Sequence, residues 1–370
     1  MTETAEKLRG WLAAQPLGWR DIEVSPVEVQ LGSGFSAEIA FIDVWYQCAQ
    51  GPQQRTLVVR RQSSNNEVVY GSSLELQAGM MAALHRRGDV PVPAWIGIET
   101  DPALLGAPFL VMGKVDGHAA TQRPVYNVEG WLADFTPEKR GQTFRNAIQT
   151  WAKMAHIDWR DDFGFMAKPA MGAPGLPQYL AQIADWHRAA GRGRSMPIVD
   201  AAMAYVVDHA PADAPVNILW GDPTPSNVMW DDDGNVVALI DWELAALGPA
   251  ELDLAWWLYF DDLFSTRFGI KRLPGLPTRD ETIALWEAAV GRKAENLAYY
   301  DILAALRMAL VAVGAFDRQV ALGNIAADNV SLNANLMSTY LAARLGMDVP
   351  VLGPDFFAFM ANLTPVEEER

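Results

Sequence analysis

The sequence predicts an α+β chain of two lobes, a strand-rich lobe over residues 1–115 and a mainly helical lobe over residues 116–370. Three observations lead there. Val, Ile and Phe alternate with polar residues through much of residues 20–115, the period of a strand with one buried face. Beyond residue 116, apolar residues recur at helical spacing in several long segments. One strand-like pair, NVMW and NVVALI, interrupts those helices, and Asp233-Gly234 between its halves is a strong hairpin-turn signal. With 370 residues, half of them hydrophobic, the chain can bury the core that two lobes need.

The elements follow in order. The N-terminal stretch MTETAEKLRGWLAAQPLGW carries charges through its apolar positions, so no signal peptide is expected. VEVQLGSGFSAEIAFIDVW, residues 27–45, sets Gly32 and Gly34 between two strand-like runs. TLVVRRQ is a further strand, ending at Arg60 and Arg61. Leu76, Met80, Ala83 and Leu84 in SSLELQAGMMAALHRRG form the stripe of an amphipathic helix, which VPVPAW, residues 90–95, breaks. GAPFLVMGKVDGHAA reads as a buried strand running into a Gly-punctuated connection. Helical patterns then fill TPEKRGQTFRNAIQTWAKMAHID, LPQYLAQIADWHRAAG, IVDAAMAYVVDHA and YYDILAALRMALVAVGAF. The most apolar run, residues 302–316, contains Arg307 and is too short for a membrane span, so a buried helix is expected.

The chemistry concentrates in NILWGDPTPSNVMWDDDGNVVALIDWE, residues 217–243. Asp222 and Asn227 share a Pro-containing loop, and Asp241 follows the second apolar run, so the hairpin would bring its two ends to one site. Phosphoryl transfer asks for positioning and charge neutralisation. A carboxylate beside the acceptor hydroxyl, here Asp222, would orient it and take its proton. The amide oxygen of Asn227 and the carboxylate of Asp241 are hard ligands that suit Mg²⁺. Gly32 and Gly34 would let backbone N–H groups approach phosphate oxygens, with Ser33 or Ser36 adding a hydroxyl donor.

WGDPTPSN followed by LIDWELAALGPAELDLAWW, including Asp253, resembles the signature of the aminoglycoside phosphotransferase-like family, small-molecule relatives of the protein kinases. The resemblance covers roughly residues 25–260. It implies a two-lobed protein-kinase-like fold and a kinase of small-molecule hydroxyls that uses ATP and Mg²⁺. Asp222 would be the catalytic base, and Asn227 and Asp241 the metal ligands. The loop Gly32, Ser33, Gly34, Phe35 and Ser36 would cover the phosphates. A cation on the third strand, Arg60, would grip them in partnership with Glu75 on the next helix, with Glu67 as a competing partner. The backbone around Met112 and Lys114 would receive the adenine. This chain departs from the pattern in three places: Trp220 stands where the family has His, Ala37 replaces the third glycine, and Arg60 replaces a lysine, whose compact ammonium its rigid fork does not reproduce.

The branch it most resembles is that of phosphotransferase domains found beside acyl-CoA dehydrogenases. The acceptor would be an aminoglycoside-like amine, a sugar, or a hydroxy acid or its thioester. A basic cluster of Arg60, Arg61, Lys114 and Arg123 would suit the last of these. The alternative is a catalytically silent nucleotide-binding module that acts through a protein partner, in keeping with the three departures.

Other classes fit poorly. A formal charge of −16 disfavours nucleic-acid binding, which needs clustered Lys and Arg. The single cysteine, Cys48, excludes an intramolecular disulfide and, with no membrane span, leads to the expectation of a cytoplasmic protein. Five scattered histidines without HExxH disfavour a zinc site, and neither a Walker GK[ST] ending nor a GxSxG elbow is present. Most of the fourteen tryptophans are expected in the core. The oligomeric state is not readable.

Overall fold

The computed structural model describes residues 3–30, 37–62 and 70–357. The loop Gly32–Ser36 and Glu67 lie outside the described residues. The strands are β1 (Arg20–Val24), β2 (Glu28–Gln30), β3 (Ala37–Cys48), β4 (Gly51–Gln62), β5 (Trp95–Glu99), β6 (Phe109–Gly113), β7 (Asn217–Leu219), β8 (Val228–Trp230), β9 (Val236–Leu239) and β10 (Ala246–Gly248). The helices are α1 (Glu3–Ala14), α2 (Leu74–Arg87), α3 (Trp131–Asp134), α4 (Pro137–Trp151), α5 (Trp159–Asp162), α6 (Leu176–Gly191), α7 (Pro197–Asp208), α8 (Glu251–Leu263), α9 (Arg279–Val290), α10 (Leu297–Ala321) and α11 (Leu336–Leu345).

The N-terminal sheet runs β1-β3-β4-β6-β5, with β2 also on β3, and its pairings are antiparallel. Strand alternation sorts its faces. Ile42, Val44 and Tyr46 of β3, Leu57 and Val59 of β4, and Phe109 and Val111 of β6 point into one apolar cluster. Helix α1 covers that cluster with Ala5, Leu8, Trp11 and Leu12, the one-face spacing of a helix. Trp11 lies 5.2 Å from the Phe109 ring, and its indole N–H donates to Glu99. The same alternation turns Arg60, next after Val59, away from that cluster. That is how a strand cation comes to serve the site.

Helix α2 follows the sheet strands in sequence, yet Met80, Met81, Ala83 and Leu84 pack into the core of the helical lobe. Ser73 caps its start by accepting from the Leu76 N–H, and Gly88 ends it in the left-handed region at φ +74°. In the helical lobe, α8 is buried nearly from end to end, and α10 packs against α8, α11, α7 and α6. Helix α10 is longer than its apolar run and passes a membrane-span test on length and composition, but 67% of its apolar window is buried inside the molecule. The expected hairpin forms: β8 pairs antiparallel with β9, and the Asp231 carboxylate accepts the N–H groups of Asp233 and Asn235 to close the turn. A second pair, β7 with β10, lies beside it. The TPEKRGQTFRNAIQTWAKMAHID pattern is helical only to Trp151; a tighter 3-10 turn follows over Ala152–His156, leaving His156 exposed with its ring on the Ala289 carbonyl.

Candidate active site

The loop that carries Asp222 is pinned from both sides. Gly221 sits at φ +87°, and a Cβ there would lie 1.9 Å from the Leu244 carbonyl oxygen, so only glycine fits. In the first turn of α8, the Asp253 carboxylate accepts the backbone N–H of Trp220 at 2.8 Å and of Gly221 at 3.0 Å. From α10, Arg307 donates to the Gly221 carbonyl at 2.5 Å. Asp222 follows immediately. One of its carboxylate oxygens accepts from the Trp256 indole at 2.6 Å, and the other from the Asn227 amide at 2.6 Å. The same Asn227 nitrogen also donates to the Asp222 carbonyl at 3.1 Å. This orientation leaves the Asn227 amide oxygen as the group that faces away from Asp222.

Asp241 reaches the site from the hairpin's other end. It adopts φ +60°, a conformation that is uncommon outside glycine and is often found at functional sites. The preceding residue is tied twice: the Ile240 N–H donates to the Asn227 carbonyl at 2.9 Å, and the Ile240 carbonyl accepts the Trp220 indole at 2.9 Å. Trp220 therefore links the two loops across the site. Arg60 lies between two carboxylates, 3.2 Å from Asp241 and 3.2 Å from Glu243. It ties the strand-rich sheet to the hairpin of the helical lobe.

The electrostatics are uneven. Burial, followed by the nearby Asp241 charge, pushes the Asp222 carboxyl up to about 6, against the opposing pull of Trp256, Arg307 and Asn227. Burial likewise lifts Asp253 to about 7, although its two backbone donors favour the carboxylate. For Arg60, burial works against the charge, but the Asp241 and Glu243 carboxylates outweigh it and hold the guanidinium above its ordinary value.

Asp222, Asn227, Asp241 and Arg60 therefore converge, whereas Glu75 does not join them. It is exposed in the first turn of α2 and makes no ion pair among the described residues, so the pairing of Arg60 with Glu75 is replaced by one with Asp241 and Glu243. The two terminal nitrogens of the arginine fork each serve one carboxylate, a geometry that the single ammonium of a lysine does not reproduce. Met112 lies within the ladders, opposite Val58 and Trp95, and the Lys114 N–H already donates to the Thr56 carbonyl at 2.9 Å. Three members of the expected basic cluster have acidic neighbours: Arg60 pairs with Asp241 and Glu243, Arg61 with Glu38, and Lys114 lies 3.8 Å from Asp116.

Sequence reasoning missed Trp256 and Arg307 as site residues. The available signal was Arg307 itself, since an arginine inside a buried apolar helix needs partners. It also missed a cleft beside Glu243, lined among others by Tyr70, Lys168, Tyr179, Trp186 and Arg307. Among the described residues Lys168 has no carboxylate partner; its ammonium lies 3.5 Å from the Gln182 amide oxygen.

No group of three or more His, Cys, Asp or Glu side chains suited to a metal occurs among the described residues. The oxygen donors of Asn227 and Asp241 nevertheless fit Mg²⁺, which takes one or two protein ligands and completes its shell with phosphate oxygens and water.

The chain resembles mouse acyl-CoA dehydrogenase family member 10 at 23% identity over 72% of its length, while spanning 25% of that relative. A Ralstonia eutropha protein assigned to the aminoglycoside phosphotransferases shares its fold, with a TM-score of 0.64 at 19% identity, covering 96% of this chain and 98% of the other. The GDP and kanamycin complex of the phosphotransferase APH(2")-IIia matches with a TM-score of 0.52 at 14% identity, covering 88% and 93%. The fold is thus the two-lobed, protein-kinase-like one. The family model of the phosphotransferase enzyme family matches residues 43–289, and with that span, fold and site the chain belongs to this family of small-molecule kinases.

Proposed function

We propose that the protein transfers the γ-phosphoryl group of ATP to a hydroxyl of a small molecule, with Mg²⁺ as the metal. The observation that carries this reading is the hydrogen-bonded convergence of Asp222 and Asn227 with Asp241, which Ile240 and Trp220 hold in place from two sides. Asp222 would orient the acceptor hydroxyl and take its proton as the oxygen bonds to phosphorus and the bond to the ADP oxygen breaks. Its elevated carboxyl, at about 6, is a base that still ionises near neutrality. Asn227 and Asp241 would hold Mg²⁺, which neutralises charge on the phosphate oxygens. Arg60 would exchange part of its bonding from Asp241 to phosphate, and Gly32 to Ser36 would close over the nucleotide. The adenine would sit near Met112 and Lys114, on backbone groups other than the Lys114 N–H, which Thr56 holds. A related fold with bound GDP supports nucleotide use.

Among amine, sugar and hydroxy acid acceptors, the cleft favours the acid. Among the described residues Lys168 lines it without a carboxylate partner, and Glu243, the one acidic residue of its described lining, already pairs with Arg60. The likeness to an acyl-CoA dehydrogenase family member points to the same class, a hydroxy acid or its thioester.

Thermal unfolding with and without Mg²⁺-ATP tests the nucleotide site. A ligand bound to the folded state alone stabilises it by about 2.7 kcal/mol at a hundredfold excess over Kd. A Mg²⁺-dependent rise in Tm that Asp241→Ala loses is expected; no rise at millimolar nucleotide would remove the reading. For the acceptor, a hydroxy acid should stabilise the protein more than its methyl ester or the matching amino alcohol, and Lys168→Met should erase that advantage. Equal responses to all three would rule out the acid.

A further inference from the structure

Arg307 and Trp256 lie where the cleft meets the catalytic loop. One guanidinium nitrogen of Arg307 donates to the Tyr179 hydroxyl at 3.0 Å, the other terminal nitrogen to the Gly221 carbonyl at 2.5 Å, and the guanidinium carbon sits 3.4 Å from the centre of a Trp256 ring. The same Trp256 donates its indole N–H to Asp222. All four side chains are held by long helices: Tyr179 by α6, Trp256 by α8 and Arg307 by α10, with Asp253 of α8 gripping the loop from beneath.

We infer that Arg307 and Trp256 are positioning residues, a relay that fixes the Asp222 carboxylate toward the acceptor and joins its orientation to the cleft wall at Tyr179. This rests on the assignment of Asp222 as the group that orients the acceptor. The physical argument is one of freedom. A carboxylate on a loop rotates about its side-chain bonds unless both oxygens are held, and here Asn227 holds one and the indole the other. The indole in turn is kept in plane by the guanidinium lying over it, a contact strengthened by the burial of both side chains. Arg307 is 3% exposed, and among the described residues its orientation is set by the Tyr179 and Gly221 bonds and by the ring. A relay explains why the charge is buried here: the guanidinium touches the cleft wall at Tyr179, the loop backbone at Gly221 and the ring that holds Asp222.

The test uses the full chain and ATP hydrolysis with Mg²⁺, in which water is the acceptor. Trp256→Phe keeps a ring beneath Arg307 but removes the N–H. It should lower kcat roughly tenfold to hundredfold while leaving the KM for ATP unchanged, since a misplaced reacting group costs rate rather than nucleotide affinity. Arg307→Lys should retain more rate than Arg307→Met. Asp222→Asn runs beside them. If Asp222→Asn hydrolyses ATP like the wild type, the Asp222 assignment fails, and the relay with it. If Asp222→Asn is silent and Trp256→Phe is fully active, the relay alone fails. A second readout needs no turnover. The indole proton of Trp256, assigned by its loss in Trp256→Phe, should resonate far downfield in the ¹H–¹⁵N spectrum and move upfield in Asp222→Ala. An indole resonance indifferent to Asp222 would overturn the inference, whether or not the variants are active.

Discussion

At the scale of single residues, the site depends on positions where one side chain, or none, is allowed. Gly221 is the clearest. Its positive φ and the 1.9 Å that a Cβ would have from Leu244 predict that Gly221→Ala costs about 3 kcal/mol or more, read as a lower urea midpoint, because backbone must move on both sides of the loop. A midpoint like that of the wild type would show that the loop is not packed as described. Arg60 is the second. Replacing it with Met leaves Asp241 and Glu243 facing each other without their shared cation, and Arg60→Lys can reach one of them at a time. Nucleotide affinity should fall about tenfold in Arg60→Lys and further in Arg60→Met, measured by calorimetry with Mg²⁺-ATP. The convergence of Asp222, Asn227 and Asp241 was legible because their spacing around a hairpin turn is a local feature of the sequence. Glu75 was misassigned as the partner of Arg60 because a helix-face glutamate at the right sequence position looks the same whether it turns inward or, as here, outward.

At the scale of elements, α8 and α10 hold the loop that carries Asp222, and their contribution is titratable. Asp253 has an ordinary carboxyl value near 4 when unfolded and about 7 when folded, so the folded chain binds its proton more tightly. The stability this group lends is complete below about pH 4 and is lost as pH rises toward about 7. The wild type should therefore lose more Tm than Asp253→Asn between pH 4 and 7; parallel curves would mean that its carboxyl is not raised. Most elements could be read from sequence, since strand alternation and helix spacing are local. LPQYLAQIADWHRAAG coincides with α6, and the Asp233-Gly234 turn joins β8 to β9 as expected. What could not be read is which faces meet. Nothing local tells that α2 packs on the helical lobe, or that α10 brings Arg307 beneath Gly221.

For the whole molecule, the site lies where the strand-rich sheet meets the helical lobe, and Arg60 crosses between them. The cleft beside it has walls from the turn before α2, from α6 and from the segment after Asp241, so its shape is set by parts distant in sequence. That is why the cleft and Lys168 escaped a reading of motifs, while the kinase-like architecture did not. The central claim is that Asp222 acts on the acceptor and is not needed to bind nucleotide. The most direct measurement follows labelled γ-phosphate from Mg²⁺-ATP to the acceptor or to water in the wild type and in Asp222→Asn, with thermal unfolding in Mg²⁺-ATP run on both. Transfer that falls at least about a thousandfold in the variant, with the nucleotide-dependent rise in Tm retained, is the predicted result. Undiminished transfer in Asp222→Asn would contradict the account.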